Sequence, residues 1–177
     1  MKYNLINFKM MKSKLRTVVL FLAVGTMAVL TSCQNDDDID DLKPEIDITI
    51  EDAFPAHCSD TIYFGEPFIL KVRFTDNEEL GSFSLDIHHN FDHHSHSTEF
   101  MECELDPEKN PVNPYTIIEE YDIPEGLEEY VTDFPITIPS SDASGLFDEG
   151  DYHFHISLTD KNGWSTQVGI GIKMAHR

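Results

Sequence analysis

Apolar residues recur at every second position in six short segments of the chain, with polar residues between them. Successive side chains of a β-strand point to opposite faces of the sheet, so this period of two is typical of strands with one buried face. Turn-forming residues separate the segments, and the chain after residue 44 has no long stretch with the 3.6-residue period of a helix. The pattern predicts an all-β fold, with strands at 46–50, 68–74, 83–87, 134–138, 152–158 and 168–174.

The pattern is weaker between residues 110 and 129. It predicts a strand over residues 115–121 and a helical turn over residues 125–130. Pro135 interrupts the segment at residues 134–138, and proline cannot donate a ladder hydrogen bond, so we expect an edge strand or a bulge there.

Residues 150–163 read GDYHFHISLTDKNG. This segment resembles the penultimate strand of immunoglobulin-like modules, which commonly runs Gly-x-Tyr-x-apolar-x-apolar and then continues through Asp to a turn with Gly. The resemblance implies an immunoglobulin-like antiparallel β-sandwich of about seven strands over residues 44–177.

The N-terminal segment has the composition of an export signal. Five basic residues precede an uncharged run over residues 18–30, which is short for a membrane-spanning helix and suits the apolar region of a signal peptide. The run ends in Leu30-Thr31-Ser32-Cys33, which resembles a bacterial lipobox. The resemblance implies a lipoprotein signal peptide over residues 1–32 and a lipid anchor on Cys33. An ordinary secretory signal followed by a chance cysteine is the alternative.

Charge is distributed unevenly along the chain. All five signal-segment bases precede Cys33 and all 33 acids follow it, so the chain from Cys33 onward has seven bases (12 − 5) and a net charge of −26, against −21 for the whole sequence. This excess of acid excludes a nucleic-acid partner, which requires a basic surface, and favours cations.

The acidic run after Cys33 repels itself and predicts an extended tether over residues 33–43. Lipoproteins of Bacteroidetes-type bacteria often carry a similar run, which serves there as a surface-export signal. The resemblance implies an outer-membrane lipoprotein exposed at the cell surface, with the periplasmic face as the alternative.

Two cysteines, Cys58 and Cys103, follow the anchor cysteine. Disulfides form and persist outside the cytoplasm, so we expect a bridge between them. Two buried free thiols remain an alternative, and zinc ligation is a weaker one because neither cysteine belongs to a CxxC motif.

Histidines are concentrated in two places. Five of the nine lie within residues 88–96, and His153 and His155 share one face of a later strand. Imidazole is the commonest metal ligand in proteins near neutral pH, so the clusters predict a metal site. His89 has the opposite parity on its strand and is a secondary candidate. The predicted ligands are Asp86, His88, His93, His94, His96, His153 and His155.

Residues 87–96 (IHHNFDHHSH) also resemble the His-rich stretch of a family of small immunoglobulin-like domains in Bacteroidetes lipoproteins. That family is catalogued as a domain of unknown function. The resemblance covers roughly residues 44–177 and implies a fold and a location, with little established activity.

Strand register predicts where the two histidine groups meet. In an immunoglobulin-like sandwich the third strand (80–89) pairs with the sixth (151–159), which brings His88 beside His153. A three-residue hairpin loop over 161–163 sets His155 opposite Gly169 and His153 opposite Gly171. Glycines weaken a strand, so we expect both to make room for the imidazoles.

Imidazoles with a carboxylate favour Zn²⁺, with Cu, Ni and Fe as alternatives. The cluster therefore predicts a binding module that captures, buffers or delivers a transition metal, with an envelope receptor or transporter as partner. The alternatives are a histidine patch that only titrates, and a structural or adhesive module that the metal merely stabilises.

An enzyme is not expected. The sequence lacks H-E-x-x-H and G-x-S-x-G motifs. A zinc hydrolase with Asp92 or Glu99 as general base is a further alternative, but a site open on the outer face of a small sandwich lacks the concave pocket that a substrate needs.

Overall fold

The computed structural model describes residues 40–98 and 103–177. The predicted signal peptide, the lipidation at Cys33, tether residues 33–39 and Glu99 lie outside the described residues. A compact unit runs from Asp40 to Arg177, so it begins four residues before the predicted boundary at Pro44. None of the described residues belongs to a helix that is long and apolar enough to cross a membrane.

The predicted all-β class is confirmed: the described residues form strands and no helix. The strands are β1 (Glu45–Asp47), β2 (Thr61–Tyr63), β3 (Pro67–Leu70), β4 (Arg73–Thr75), β5 (Leu80–His89), β6 (Ile117–Asp122), β7 (Glu129–Val131), β8 (Phe134–Thr137), β9 (Ser141–Asp142), β10 (Gly145–Leu146), β11 (Gly150–Asp160) and β12 (Ser165–Ala175).

One sheet has the order β2-β12-β11-β5-β6, with a parallel β2–β12 pair at one edge and antiparallel pairs elsewhere. The facing layer consists of the sheets β1-β4-β7 and β3-β8. Aromatic contacts join the layers: the ring centroids of Phe74 and Phe83 lie 5.0 Å apart, and those of Phe68 and Phe154 lie 6.4 Å apart. The fold is therefore a β-sandwich, as predicted, and its β5-β11-β12 order is that of the C, F and G strands of an immunoglobulin-like domain.

Three local predictions are wrong. The strand expected over residues 46–50 ends at Asp47, whose carboxylate accepts hydrogen bonds from the backbone N–H (2.8 Å) and the hydroxyl (2.7 Å) of Thr49 in a local turn. The strand expected over residues 68–74 is broken into β3 and β4 at Val72, whose backbone N–H donates to the side-chain hydroxyl of the buried Thr132 (2.9 Å) instead of continuing a ladder. The helical turn expected over residues 125–130 is replaced by a turn with a left-handed Gly126 (φ 79°) and by β7, which pairs with β4. A sheet edge that offers backbone partners outweighs the weak helical pattern here.

Other local predictions hold. Strand β6 covers most of the predicted segment 115–121. Among the described strands, β8 pairs with β3 alone, so Pro135 lies in an edge strand as expected.

The central strand β11 positions the histidines. Its core-facing residues Tyr152, Phe154, Ile156 and Leu158 are fully buried. Its register with β12 is the predicted one, with His153 opposite Gly171 and His155 opposite Gly169. On its other side, β5 places His88 opposite His153 and Asp86 opposite His155.

Candidate metal centre

Four imidazoles converge on the outer face of the five-stranded sheet. His88 comes from the end of β5, His153 comes from β11, and His94 and His96 come from the histidine loop, residues 90–98. Each offers a ring nitrogen, and these four atoms all lie within 4.8 Å of one another. Sequence reasoning named all four of these residues; we call them the histidine cluster.

Within the cluster, Nε2 of His88 lies 3.2 Å from Nε2 of His96. Two nitrogens bound to one tetrahedral zinc ion at 2.0–2.1 Å lie about 3.3 Å apart. The pair is thus spaced as two ligands of a single ion would be. The rings of His94 and His96 both lie against His153, with centroid distances of 4.9 and 4.8 Å.

Two carboxylates orient members of the cluster. Nδ1 of His88 lies 2.9 Å from Asp86, and Nδ1 of His94 lies 2.6 Å from Asp92. Because a carboxylate accepts hydrogen bonds, each Nδ1 carries the proton and each Nε2 keeps its lone pair, which is the usual outer-shell arrangement of metal-binding histidines. The hydrogen bond with His94 also lowers the pKa of Asp92.

His153 is oriented differently. Its Nε2 lies 3.1 Å from the backbone carbonyl of His94, so Nε2 is the donor and Nδ1 is the nitrogen with the lone pair. The same contact ties the histidine loop to β11. Asp86, another predicted ligand, contacts Nδ1 of His88 and lies outside the group of four ring nitrogens.

The loop covers part of the site that sequence reasoning expected to be open. His153 is only 2% exposed, although it lies on the outer face of the sheet. The carbonyl of Thr98 accepts a hydrogen bond from the N–H of Gly169 (2.7 Å), which fastens the loop to β12. His96 remains exposed, so solvent reaches the cluster from the side on which His96 lies.

His155 flanks the cluster. Its ring stacks on His88, with centroids 5.5 Å apart and an angle of 6° between the planes, and its Nδ1 lies 3.4 Å from the hydroxyl of Thr98. It stands outside the four nitrogens that lie within 4.8 Å of one another. His155, a predicted ligand, thus packs beside the histidine cluster without belonging to it.

His93, a predicted ligand, turns away from the cluster. Its backbone is left-handed (φ 56°), its Nε2 lies 2.8 Å from the carbonyl of Asp106, and its Nδ1 lies 3.7 Å from Glu108. These contacts hold the ring of His93 outside the histidine cluster.

His89 also lies apart, as its parity predicts. It stacks on Phe91 with centroids 4.8 Å apart, and burial lowers its pKa.

A disulfide joins Cys58 to Cys103. It links the segment before β2 to the chain that follows the histidine loop. A Cβ on Gly171 would lie 2.6 Å from the sulfur of Cys103, so this glycine makes room for the disulfide. The expectation that Gly171 makes room for His153 is therefore wrong, whereas Gly169 does face His155 as expected.

Sequence reasoning missed the orienting role of Asp92 and the anchoring role of Thr98. A signal for Asp92 was present, because Asp86-x-His88 and Asp92-x-His94 share one spacing. Thr98 gave no such signal, since its contacts depend on the path of the loop.

Comparison with curated proteins gave no significant match. A family model covers residues 31–175, which is most of the chain and includes the whole histidine cluster. The chain therefore belongs to the family described as a domain of unknown function, DUF4625.

Proposed function

We propose that the domain binds one transition-metal ion, with Zn²⁺ preferred, through His88, His94, His96 and His153. The observation that carries the proposal is the convergence of four ring nitrogens within 4.8 Å, drawn from two strands and a loop. Two of the four imidazoles are oriented by carboxylates, as metal ligands usually are.

Four imidazoles suit zinc because Zn²⁺ accepts four nitrogen ligands in a tetrahedron. Copper and nickel also bind imidazole. A square arrangement of the ligands favours Cu²⁺ or Ni²⁺, whereas a tetrahedral arrangement favours Zn²⁺. The carboxylates of Asp86 and Asp92 lie behind the ligands and offset the charge of a divalent ion.

The proposed role is to capture, buffer or deliver the ion. His153 is buried at the bottom of the site, whereas His96 is exposed and the side chain of His94 is 35% exposed. Solvent and a partner protein can therefore approach two of the four ligands, which favours exchange over permanent retention. The net charge of −21 raises the local concentration of cations.

We further propose that the chain is a cell-envelope lipoprotein. The signal-like N-terminus and Cys33 support this location, as does the Cys58–Cys103 disulfide, since such bonds persist in oxidising compartments. A hydrolase is disfavoured, because four imidazoles would fill the tetrahedron and a catalytic zinc keeps one position open.

The test compares two adjacent loop residues. The side chains of His93 and His94 have similar exposures, 31% and 35%, but only His94 belongs to the cluster. We expect the purified full chain to bind about one equivalent of Zn²⁺, measured by competition with a chromophoric chelator. His94→Ala should weaken the affinity at least tenfold, a loss of about 1.4 kcal/mol, and His93→Ala should leave it unchanged.

Equal weakening in both variants, or no stoichiometric zinc in the wild type, would overturn the proposed site. Chelator exchange tests the role separately. A carrier should release its ion to excess chelator within minutes, whereas release over many hours would mark a structural ion and contradict capture and delivery.

A further inference from the structure

Three carboxylates meet at the end of β11 that is remote from the histidine cluster. Asp160 ends β11, Asp76 follows β4, and Asp40 is the first residue that the structure describes. One carboxylate oxygen from each lies within 4.8 Å of the others. Seven residues of extended strand separate Asp160 from His153, a distance of roughly 23 Å, so the two sites are distinct.

The buried member of this group has an oxygen that the protein does not satisfy. Asp160 is only 4% exposed. Its Oδ1 accepts hydrogen bonds from the N–H groups of Gly163 (2.6 Å) and Trp164 (2.9 Å). Its Oδ2 is buried and accepts no hydrogen bond from any described residue. A buried carboxylate oxygen without a partner is costly and points to a missing positive charge.

Asp76 shows the same feature. Its Oδ2 accepts a hydrogen bond from the N–H of Glu78 (3.2 Å), whereas its buried Oδ1 has no hydrogen-bond partner among the described residues. Burial and the nearby charges of Asp160 and Asp40 raise the pKa of Asp76. In the described part of the chain, no Lys or Arg forms an ion pair with any of the three carboxylates.

We propose that Asp40, Asp76 and Asp160 bind a calcium ion. Ca²⁺ takes oxygen ligands at 2.3–2.6 Å, so two oxygens on one ion lie at most about 5 Å apart, and the three carboxylates meet this limit. The group offers no nitrogen or sulfur ligand, which disfavours zinc. Three carboxylates drawn from separate parts of the chain suit Ca²⁺, whose coordination geometry is adaptable, better than Mg²⁺, which demands a near-ideal octahedron.

Neighbouring side chains can complete the coordination. The amide nitrogen of Asn162 donates to Asp40 (3.1 Å) and to Glu78 (2.9 Å), so the carboxylate of Glu78 borders the three aspartates and can act as a fourth oxygen ligand. The ion joins three separate parts of the domain: its first residues, the loop after β4 and the β11–β12 turn. Its binding should therefore stabilise the folded domain.

Trp164, the single tryptophan of the chain, provides a probe because its indole N–H donates to the carbonyl of Asp40 (2.9 Å). Tb³⁺ replaces Ca²⁺ in oxygen sites, so Tb³⁺ added to the purified full chain should emit when Trp164 is excited, and Ca²⁺ should quench this emission by competition. At ten times its dissociation constant, Ca²⁺ should also raise the melting temperature by about 4 °C.

Asp76→Asn and Asp160→Asn each keep an oxygen that can accept the existing backbone hydrogen bonds. Both should abolish Tb³⁺ emission and the Ca²⁺-dependent shift. Asp76→Asn removes one of the three carboxylates that repel one another. Without calcium this variant should therefore melt at a higher temperature than the wild type, which would show that it folds. With calcium it should melt at a lower temperature than the wild type.

Asp142→Asn is the matched control, because Asp142 accepts a similar turn hydrogen bond from Ser144 away from the site. It should keep the calcium response, and so should His94→Ala, because the histidine cluster is separate. A wild type with neither emission nor a shift would overturn the proposal. A response that survives in Asp76→Asn and Asp160→Asn would overturn it equally.

Discussion

The ring of His155 occupies the space in which residue 169 would carry a side chain. The two residues face each other across β11 and β12, and a Cβ on Gly169 would lie 2.8 Å from Cε1 of His155. The carbonyl of Thr98 would lie only 3.4 Å from the same Cβ. The glycine thus lets the imidazole lie flat on the sheet and lets the histidine loop close over the strand.

We predict that Gly169→Ala destabilises the domain by roughly 1–3 kcal/mol, the usual cost of overpacking. The added methyl group must displace the ring of His155, whose Cε1 and Nδ1 lie 2.8 and 3.0 Å from the new Cβ, or the loop at Thr98. Denaturant unfolding measures the loss. Gln167→Ala, an exposed change on the same face of β12, is the control and should be nearly neutral. Equal stability of Gly169→Ala and the wild type would contradict this packing.

Asp86 should matter to metal affinity without touching the ion. It holds Nδ1 of His88 at 2.9 Å and so fixes both the tautomer and the ring orientation. We predict that Asp86→Asn weakens zinc binding 10- to 100-fold, as is typical of outer-shell changes, which is roughly 1.4–2.7 kcal/mol. Chelator competition measures the effect. Asp122→Asn makes the same charge change at an exposed position of the neighbouring strand β6, so it should leave the zinc affinity unaltered. If both changes weaken zinc binding equally, the lost negative charge is responsible and not the orientation of the His88 ring.

The register of the site could be predicted because it depends on local sequence. The loop at residues 161–163 ends in Gly163 with φ 94°, the left-handed position that such hairpins require, and this fixes His153 and His155 against β12. The resemblance to immunoglobulin-like modules supplied the β5–β11 pairing. Period-two alternation was sufficient for the central strands, where one face is fully buried.

Features that depend on the path of loops could not be predicted. His93 has a left-handed backbone and contacts Asp106 instead of the cluster, and strand parity carries no information about such a loop residue. The role of Gly171 depends on where the tertiary fold places Cys103. Asp76 and Asp160 are 84 residues apart and meet only through the tertiary fold, so no local sequence pattern predicts their carboxylate cluster.

His89 should make the stability of the domain depend on pH. Burial lowers its pKa in the folded state, so the unfolded chain binds a proton more readily than the folded one. The contribution of neutral His89 to the stability of the folded domain is complete above its pKa in the unfolded chain, about 6.5. This contribution is lost as the pH falls below that value. We predict that the melting temperature of metal-free protein falls between about pH 7.5 and about pH 5.5, and falls less in His89→Phe.

The phenyl ring of His89→Phe retains the stacking on Phe91 without a titrating group. His57→Gln, which removes an exposed histidine, is the control and should keep the full pH dependence. An unchanged slope in His89→Phe would show that other groups cause the acid sensitivity.

The Cys58–Cys103 disulfide should support both the fold and the metal site. It closes a loop with a sequence separation of 45 residues. Constraining the unfolded chain to this extent contributes roughly 4 kcal/mol in the loop-entropy model. The bridge also anchors the chain just beyond the histidine loop. Three residues later, the N–H of Asp106 donates to the buried Asp151 (2.7 Å), which is a second anchor of the same stretch.

We therefore predict that the double variant Cys58→Ser/Cys103→Ser unfolds at lower denaturant concentration and binds zinc more weakly than the wild type. The weaker binding follows because His94 and His96 lie on a loop that has lost one of its anchors. The same denaturation and chelator titrations measure the two effects, and the wild type treated with a non-thiol reductant should match the variant. Full zinc affinity in a destabilised variant would show instead that Thr98 and His153 hold the loop without the disulfide.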